Sequence, residues 1–141
     1  MSPTDPKVDL LRSIPIFAGL GGRELDQIAQ LMDEVDVPAG KVLMRQGELG
    51  AEMFIVVSGS FTIDRDGNAI RVCGAGEALG EMALLSEGRR TATVTANEPA
   101  RLLVAGHREF HALLDVAPEI SKHMLETLAR HIRALDADAV A

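Results

Sequence analysis

A series of short β-branched and apolar runs, each closed by a turn, occupies the middle of the chain and restricts its fold more than any other feature. The runs are residues 35–37, 42–44, 53–57, 61–63, 70–73, 91–94 and 102–104. Between them stand Pro38-Ala39-Gly40, Gly47 to Gly50, Gly59, Asp66-Gly67, Gly74 to Gly76 and Asn97-Glu98-Pro99. Such runs are too short for helices, and a spacing of roughly 8–12 residues with glycine-rich turns predicts a small closed roll or barrel rather than βαβ units. Asp66-Gly67, between Phe61-Thr62-Ile63 and Ile70-Arg71-Val72, is the strongest hairpin signal, because both turn positions of a two-residue hairpin need residues that tolerate positive φ.

Helical periodicity brackets this region. Pro6 to Leu11 can start a short helix, and Leu25, Ile28, Ala29, Met32 and Val35 recur at the three-four spacing of one helical face. After Gly106, Phe110, Leu113, Leu114 and Ala117 mark a short helix, and Pro118 interrupts it. A longer helix is expected from residue 119 to about 136, with Ile120, Met124, Leu125, Leu128, Ile132 and Leu135 on its apolar stripe. The fold class is therefore α+β: an antiparallel β-roll, double-stranded and jelly-roll-like, flanked by N-terminal and C-terminal helices. We read one domain over residues 1–141, with a tail and helices in 1–34, the roll in 35–105, helices in 106–136 and a tail in 137–141.

Composition sets limits on the partners. The 141 residues carry a net charge of −7, so the averaged field repels phosphate backbones and anionic membranes, and an anionic ligand has to be held by a local feature. Aromatics are 3% with no Trp or Tyr, which argues against a single-strand nucleic-acid binder that stacks bases. Direct DNA binding by this chain is not expected. Cys73 is the single cysteine and the N-terminus lacks the basic-then-apolar pattern of a signal peptide, so the expected location is a reducing cytoplasm. No apolar run approaches the ~18 residues that span a bilayer.

One interval departs from the strand rhythm. Between Cys73 and Thr91 lie Gly80, then Glu81 to Leu85, which reads as a compact helical turn, and then Gly88. A helix start offers unpaired N–H groups, and glycine lets a ligand approach the backbone, which together make a seat for an anion. Nine positions after Glu81 comes Arg90, whose planar fork can grip a phosphate through two charge-assisted hydrogen bonds. A carboxylate beside such a seat suits a sugar hydroxyl.

Gly80-Glu81-Met82-Ala83-Leu84-Leu85, the short gap, and Arg90-Thr91-Ala92-Thr93-Val94 resemble the phosphate-binding cassette of cyclic-nucleotide-binding domains. These are the modules of catabolite activator protein, of the regulatory subunits of cyclic-AMP-dependent kinase and of cyclic-nucleotide-gated channels. Gly40, Gly47 and Gly59 fall where that family places turn glycines, so the resemblance covers nearly the whole chain. It implies a cassette over residues 80–92, in which Glu81 accepts from the ribose 2′-hydroxyl and Arg90 pairs the exocyclic phosphate oxygens. Gly80, Met82, Ala83 and Thr91 belong to the same seat, with backbone N–H groups near Ala83 and Thr91 completing it. Ile63 and Cys73 line the base pocket, and Ile132 and Arg133 are expected to cover the base. The implied ligand is cyclic AMP, with cyclic GMP as the second candidate and no metal or other cofactor; an effector domain or protein partner would receive the signal. Two positions depart from the family pattern: Arg89 replaces a common proline, and Leu79 replaces a common aromatic residue. Arg90 is favoured over Arg89 because it keeps the nine-residue offset.

Two other classes are compatible with a small β-roll. A ligand-free protein-interaction module could share the fold. A metal-dependent β-roll enzyme would need histidine ligands on its strands, but His107, His111, His123 and His131 all follow the roll. His107 and His111 stand at i and i+4, a spacing that more often marks a solvated helix face than a metal site. Ser58 and Ser60 around Gly59 do not form the nucleophile elbow of a hydrolase. The chain is accordingly read as non-enzymatic.

Overall fold

The computed structural model describes residues 6–14, 17, 19–80, 88–116, 118–122, 125–126 and 129. The chain divides into two compact units, Gln30–Phe110 and a helical unit of Met1–Ala29 with His111–Ala141.

In the helical unit, α1 (Pro6–Arg12) buries Val8 and Leu11, and proline at its first position loses no helical hydrogen bond. α2 (Gly22–Gln30) buries Leu25, Ile28 and Ala29. Its start is fixed by Glu24, whose Oε2 accepts from the Gly21 N–H at 3.1 Å, the reach-back of a capping box. The helix ends at Gln30 and not, as the apolar spacing suggested, beyond Met32: from Asp33 the alternation Asp-Glu-Val-Asp-Val takes over as a strand. α3 (His107–Val116) begins where the last strand stops, and residues 118–122 form a further helical turn.

The other unit consists of two antiparallel sheets, each four-stranded, so it is an open roll and not a closed barrel. The strands are β1 (Asp33–Val37), β2 (Val42–Met44), β3 (Glu52–Ser58), β4 (Phe61–Arg65), β5 (Asn68–Cys73), β6 (Ala78–Leu79), β7 (Thr93–Ala96) and β8 (Ala100–Gly106). One sheet has the order β1-β8-β3-β6 and the other β2-β7-β4-β5. Their inner faces share a core of Phe54, Val56, Phe61, Ile63, Cys73, Leu79, Val94, Ala96 and Leu102 with smaller neighbours. Strand β3 also buries Met53 and Ile55, which pair with Ala105 and Leu103 on the opposite face. Burial on both faces is why this stretch reads as a continuous apolar run and not as an alternation.

The hairpin forms where expected. Asp66 and Gly67 have φ of 54° and 82°, the two positive values of a type I′ turn, and Arg65 pairs with Asn68. Gln46 fastens its tip: the amide Nε2 donates to Asp66 Oδ1 and the Asp66 N–H donates to Gln46 Oε1, both at 2.8 Å. Below the turn the register slips by one residue, since Asp64 faces Ala69 but Ile63 faces Arg71. Ile70 is thus the extra residue of a bulge, and the slip exchanges the faces of everything after it. Cys73 turns into the core and Arg71 stands opposite Ile63 with its side chain about half-exposed, while Ile70 and Val72 are 50% and 62% exposed.

Candidate functional site

The centre of the site is Arg90, a charged side chain that is only 7% exposed. Its backbone is fixed to the loop between β2 and β3: the Arg90 N–H donates to the Glu48 carbonyl at 2.7 Å and the Gly47 N–H donates to the Arg90 carbonyl at 2.9 Å. Its side chain then runs back to the start of β3, where Nη2 donates to the Glu52 carbonyl at 2.8 Å. The guanidinium lies 6.0 Å from the centre of the Phe54 ring, at the outer reach of a cation–π contact. Burial pushes its pKa below the ordinary arginine value, and the Glu52 carboxylate pulls it partly back. An arginine nevertheless keeps its proton, so a full positive charge sits in this place.

That charge is incompletely satisfied. Nη1 is buried with no hydrogen-bond partner among the described residues. An orphaned N–H of this kind costs about 1–3 kcal/mol, more when charged, and calls for a specific explanation. It is aimed at Gly80, where a Cβ would collide with it. Gly80 follows β6 with φ +78°, a conformation that L side chains rarely adopt.

A cavity of about 310 Å³ opens beside these groups. Ile63, Leu79 and Val94 give it apolar walls, and Gly80 and Thr91 contribute to its rim. Four arginines line it, Arg65, Arg71, Arg89 and Arg90, with no carboxylate among the described lining residues. In a chain of net charge −7 this is a local reversal of sign, the feature that an anion needs. Arg65 Nε donates to the Thr91 carbonyl at 3.2 Å, and Arg89 Nη1 donates to the Gly47 carbonyl at 2.7 Å. Arg71 pairs with Glu77 at 2.7 Å.

The residues expected from the sequence are distributed as follows. Gly80, Arg90, Thr91 and Ile63 come together around the cavity. Cys73 lies behind them in the core, 1% exposed; burial, and then Glu77, push its thiol pKa up, with Arg71 opposing. The two adjacent arginines separate cleanly: Arg89 is exposed and Arg90 is buried. Glu81, Met82, Ala83, Ile132 and Arg133 lie outside the described residues. The sequence reading missed Arg65, Arg71 and the ring of Phe54. Arg65 flanks the hairpin turn and was open to discovery there, whereas Arg71 depends on the bulge. No group of three His, Cys, Asp or Glu side chains among the described residues is placed to hold a metal. No helix among them is long and apolar enough to cross a membrane.

A roll of two four-stranded sheets with a buried, incompletely paired arginine beside an arginine-lined cavity is an arrangement suited to a small anion. Residues 34–116 match the cyclic nucleotide-binding domain family, and the chain belongs to that family. It is 36% identical over 118 residues to a cyclic nucleotide-gated potassium channel of Rhizobium etli, covering 84% of this chain and 33% of the channel. It is 31% identical over 131 residues to the cyclic AMP receptor protein of Thermus thermophilus, covering 89% of this chain and 61% of the receptor. The crystal structure of Thermus thermophilus catabolite activator protein superposes with a TM-score of 0.83 at 32% identity, covering 89% of this chain and 61% of that one. The chain thus spans a third to three fifths of the length of these relatives.

Proposed function

We propose that this chain is a non-enzymatic cyclic-nucleotide sensor whose ligand is cyclic AMP, with cyclic GMP as the second candidate. The observation that carries the reading is Arg90: a buried cation with one unpartnered N–H, beside a cavity of about 310 Å³. That volume is at the small end of the ~300–1,000 Å³ of small-molecule sites. A cyclic phosphate diester brings one negative charge and two exocyclic oxygens, which complete the hydrogen bonds of the guanidinium without adding a second charge to be desolvated.

Around that contact, Gly80, Met82, Ala83 and Thr91 supply the rest of the phosphate seat, and Glu81 accepts from the ribose 2′-hydroxyl. Ile63, with Cys73 behind it, forms the apolar wall under the base, and Ile132 and Arg133 cover the base from the C-terminal helix. A ligand that touches both the cassette and that helix favours the arrangement in which both contacts are made, so binding shifts a population of conformations. The receiving partner would be an effector segment or protein, in keeping with relatives named as a receptor protein and as a gated channel.

Isothermal titration with cyclic AMP, cyclic GMP and 5′-AMP tests this reading. Saturable binding of a cyclic nucleotide, much weaker binding of 5′-AMP with its open dianionic phosphate, and loss of binding in Arg90→Ala are expected. No heat from any of the three at millimolar concentration would leave a ligand-free interaction module as the better account.

A further inference from the structure

The side chain of Arg90 passes directly over Gly50, and a Cβ built there would overlap Nε, Cδ and Cζ of the arginine. Gly50 differs from the turn glycines in one respect: its φ is not in the left-handed region, so its backbone would accept an L residue. The obstacle to any side chain at position 50 is Arg90 itself. On the other side of the guanidinium, Gly80 leaves space for Nη1. The cation is therefore threaded between two residues without side chains, and its one side-chain hydrogen bond among the described residues, from Nη2 to the Glu52 carbonyl, follows that path.

We infer that Gly50 is a positioning residue of the phosphate seat: its bare Cα is what allows Arg90 to lie buried along the loop and present Nη1 to the anion. The inference rests on the proposed role of Arg90, but its geometric core does not require a ligand. Alanine at position 50 must displace the arginine, because backbone stitched on both sides of Arg90, to Glu48 and to Gly47, has no slack to move instead. The displaced guanidinium leaves the Glu52 carbonyl and no longer faces the seat.

A stability cycle in the full chain tests this without ligand. Gly50→Ala should lower the melting temperature when Arg90 is present. In an Arg90→Ala background the same substitution should be neutral or raise it, because the colliding atoms are gone and alanine restricts the unfolded chain more than glycine does. If Gly50→Ala alone fails to fold, the Gly50→Ala/Arg90→Ala double variant should regain folding. Equal destabilisation in both backgrounds, or a double variant that stays unfolded, overturns the inference. With cyclic AMP as the probe, Gly50→Ala should lose tenfold or more in affinity, and unchanged affinity would also overturn it. Should the unaltered chain bind no cyclic nucleotide, the functional reading fails while the stability cycle still decides the role of Gly50.

Discussion

At position 90 a charge is held by one hydrogen bond to a carbonyl, an aromatic face and a glycine-lined path. At position 89 the same side chain lies in water with its fork on the Gly47 carbonyl. The two environments predict different consequences for the same substitution. A nucleotide phosphate brought against Arg90 forms a desolvated pair, and removing one partner of such a pair costs on the order of 2–5 kcal/mol. Arg89→Ala removes a solvated charge and should cost far less. Titration of both variants with cyclic AMP checks this, and equal losses would reverse the assignment. In the sequence, Arg90 is preferred only through its nine-residue offset from Glu81; the physical difference, burial, comes with Gly47 to Gly50 lying against the arginine, and no spacing rule contains that.

Among the elements, the β4–β5 hairpin shows most clearly what the sequence could and could not reveal. Its turn was legible because Asp66-Gly67 leaves little choice: Gly67 adopts φ +82°, and Gly67→Ala should cost about 1–2 kcal/mol for a left-handed residue, read by denaturant unfolding. The strands β1 to β5 and β8 were legible for a similar reason, since each apolar run has a turn at its end, and β7 was found two residues early, as the run 91–94 against Thr93–Ala96. The two-residue β6, with its single inward Leu79, is too short for any periodicity to show. The bulge was invisible as well. A plain two-residue hairpin would set Ile63 against Ile70 and turn Val72 inward, which is what apolar patterning favours; the observed slip sets Arg71 against Ile63 instead, leaves Ile70 and Val72 exposed, and brings Arg71 to the cavity beside Ile70. Arg71 is steadied there by Glu77, whose other oxygen accepts from the Gly74 N–H at 2.6 Å. The hydrogen bond from Arg71, assisted by that from Gly74, holds the Glu77 carboxyl below its ordinary pKa. The folded chain therefore keeps this carboxylate ionised at a pH where the unfolded chain protonates it, near 4.3. Its contribution is complete above that value and is lost as pH falls through the lower folded pKa. Glu77→Gln should accordingly remove part of the decline in melting temperature on the acid side; since both partners are largely solvent-exposed, the effect should be small and should shrink further in high salt. An acid limb identical in the two proteins would mean that Glu77 has no part in it.

For the whole molecule, the net charge of −7 and the arginine-lined cavity act in opposite directions on an anion, and the local feature decides the outcome because the cavity lies within a few ångströms of the ligand while the remaining charges are screened over about 8 Å at physiological ionic strength. Binding that selects the folded state then becomes visible as stability: a hundredfold excess of ligand over its dissociation constant adds roughly 2.7 kcal/mol. Melting curves in cyclic AMP should rise accordingly, those in 5′-AMP should rise much less, and those of Arg90→Ala should stay flat in both. The same linkage tests the proposed switch. Cyclic AMP and cyclic GMP share the phosphate and ribose that Arg90 and Glu81 are proposed to hold, so base choice has to come from Thr91 and from whatever closes over the base. The chain has no Tyr or Trp, so within the roll only the arginines that line the cavity can stack on a base, and the proposed cover by Ile132 and Arg133 supplies the rest. Amides of residues 128–135 should therefore gain hydrogen-exchange protection when cyclic nucleotide saturates the site, because a segment ordered by the ligand opens less often. Truncation before Ile132 should weaken cyclic AMP severalfold and leave the exchange pattern of β3, β4 and β8 intact. If residues 128–135 exchange at the same rate with and without saturating nucleotide, the C-terminal segment is no lid, and the conformational response has to be sought in α1 and α2.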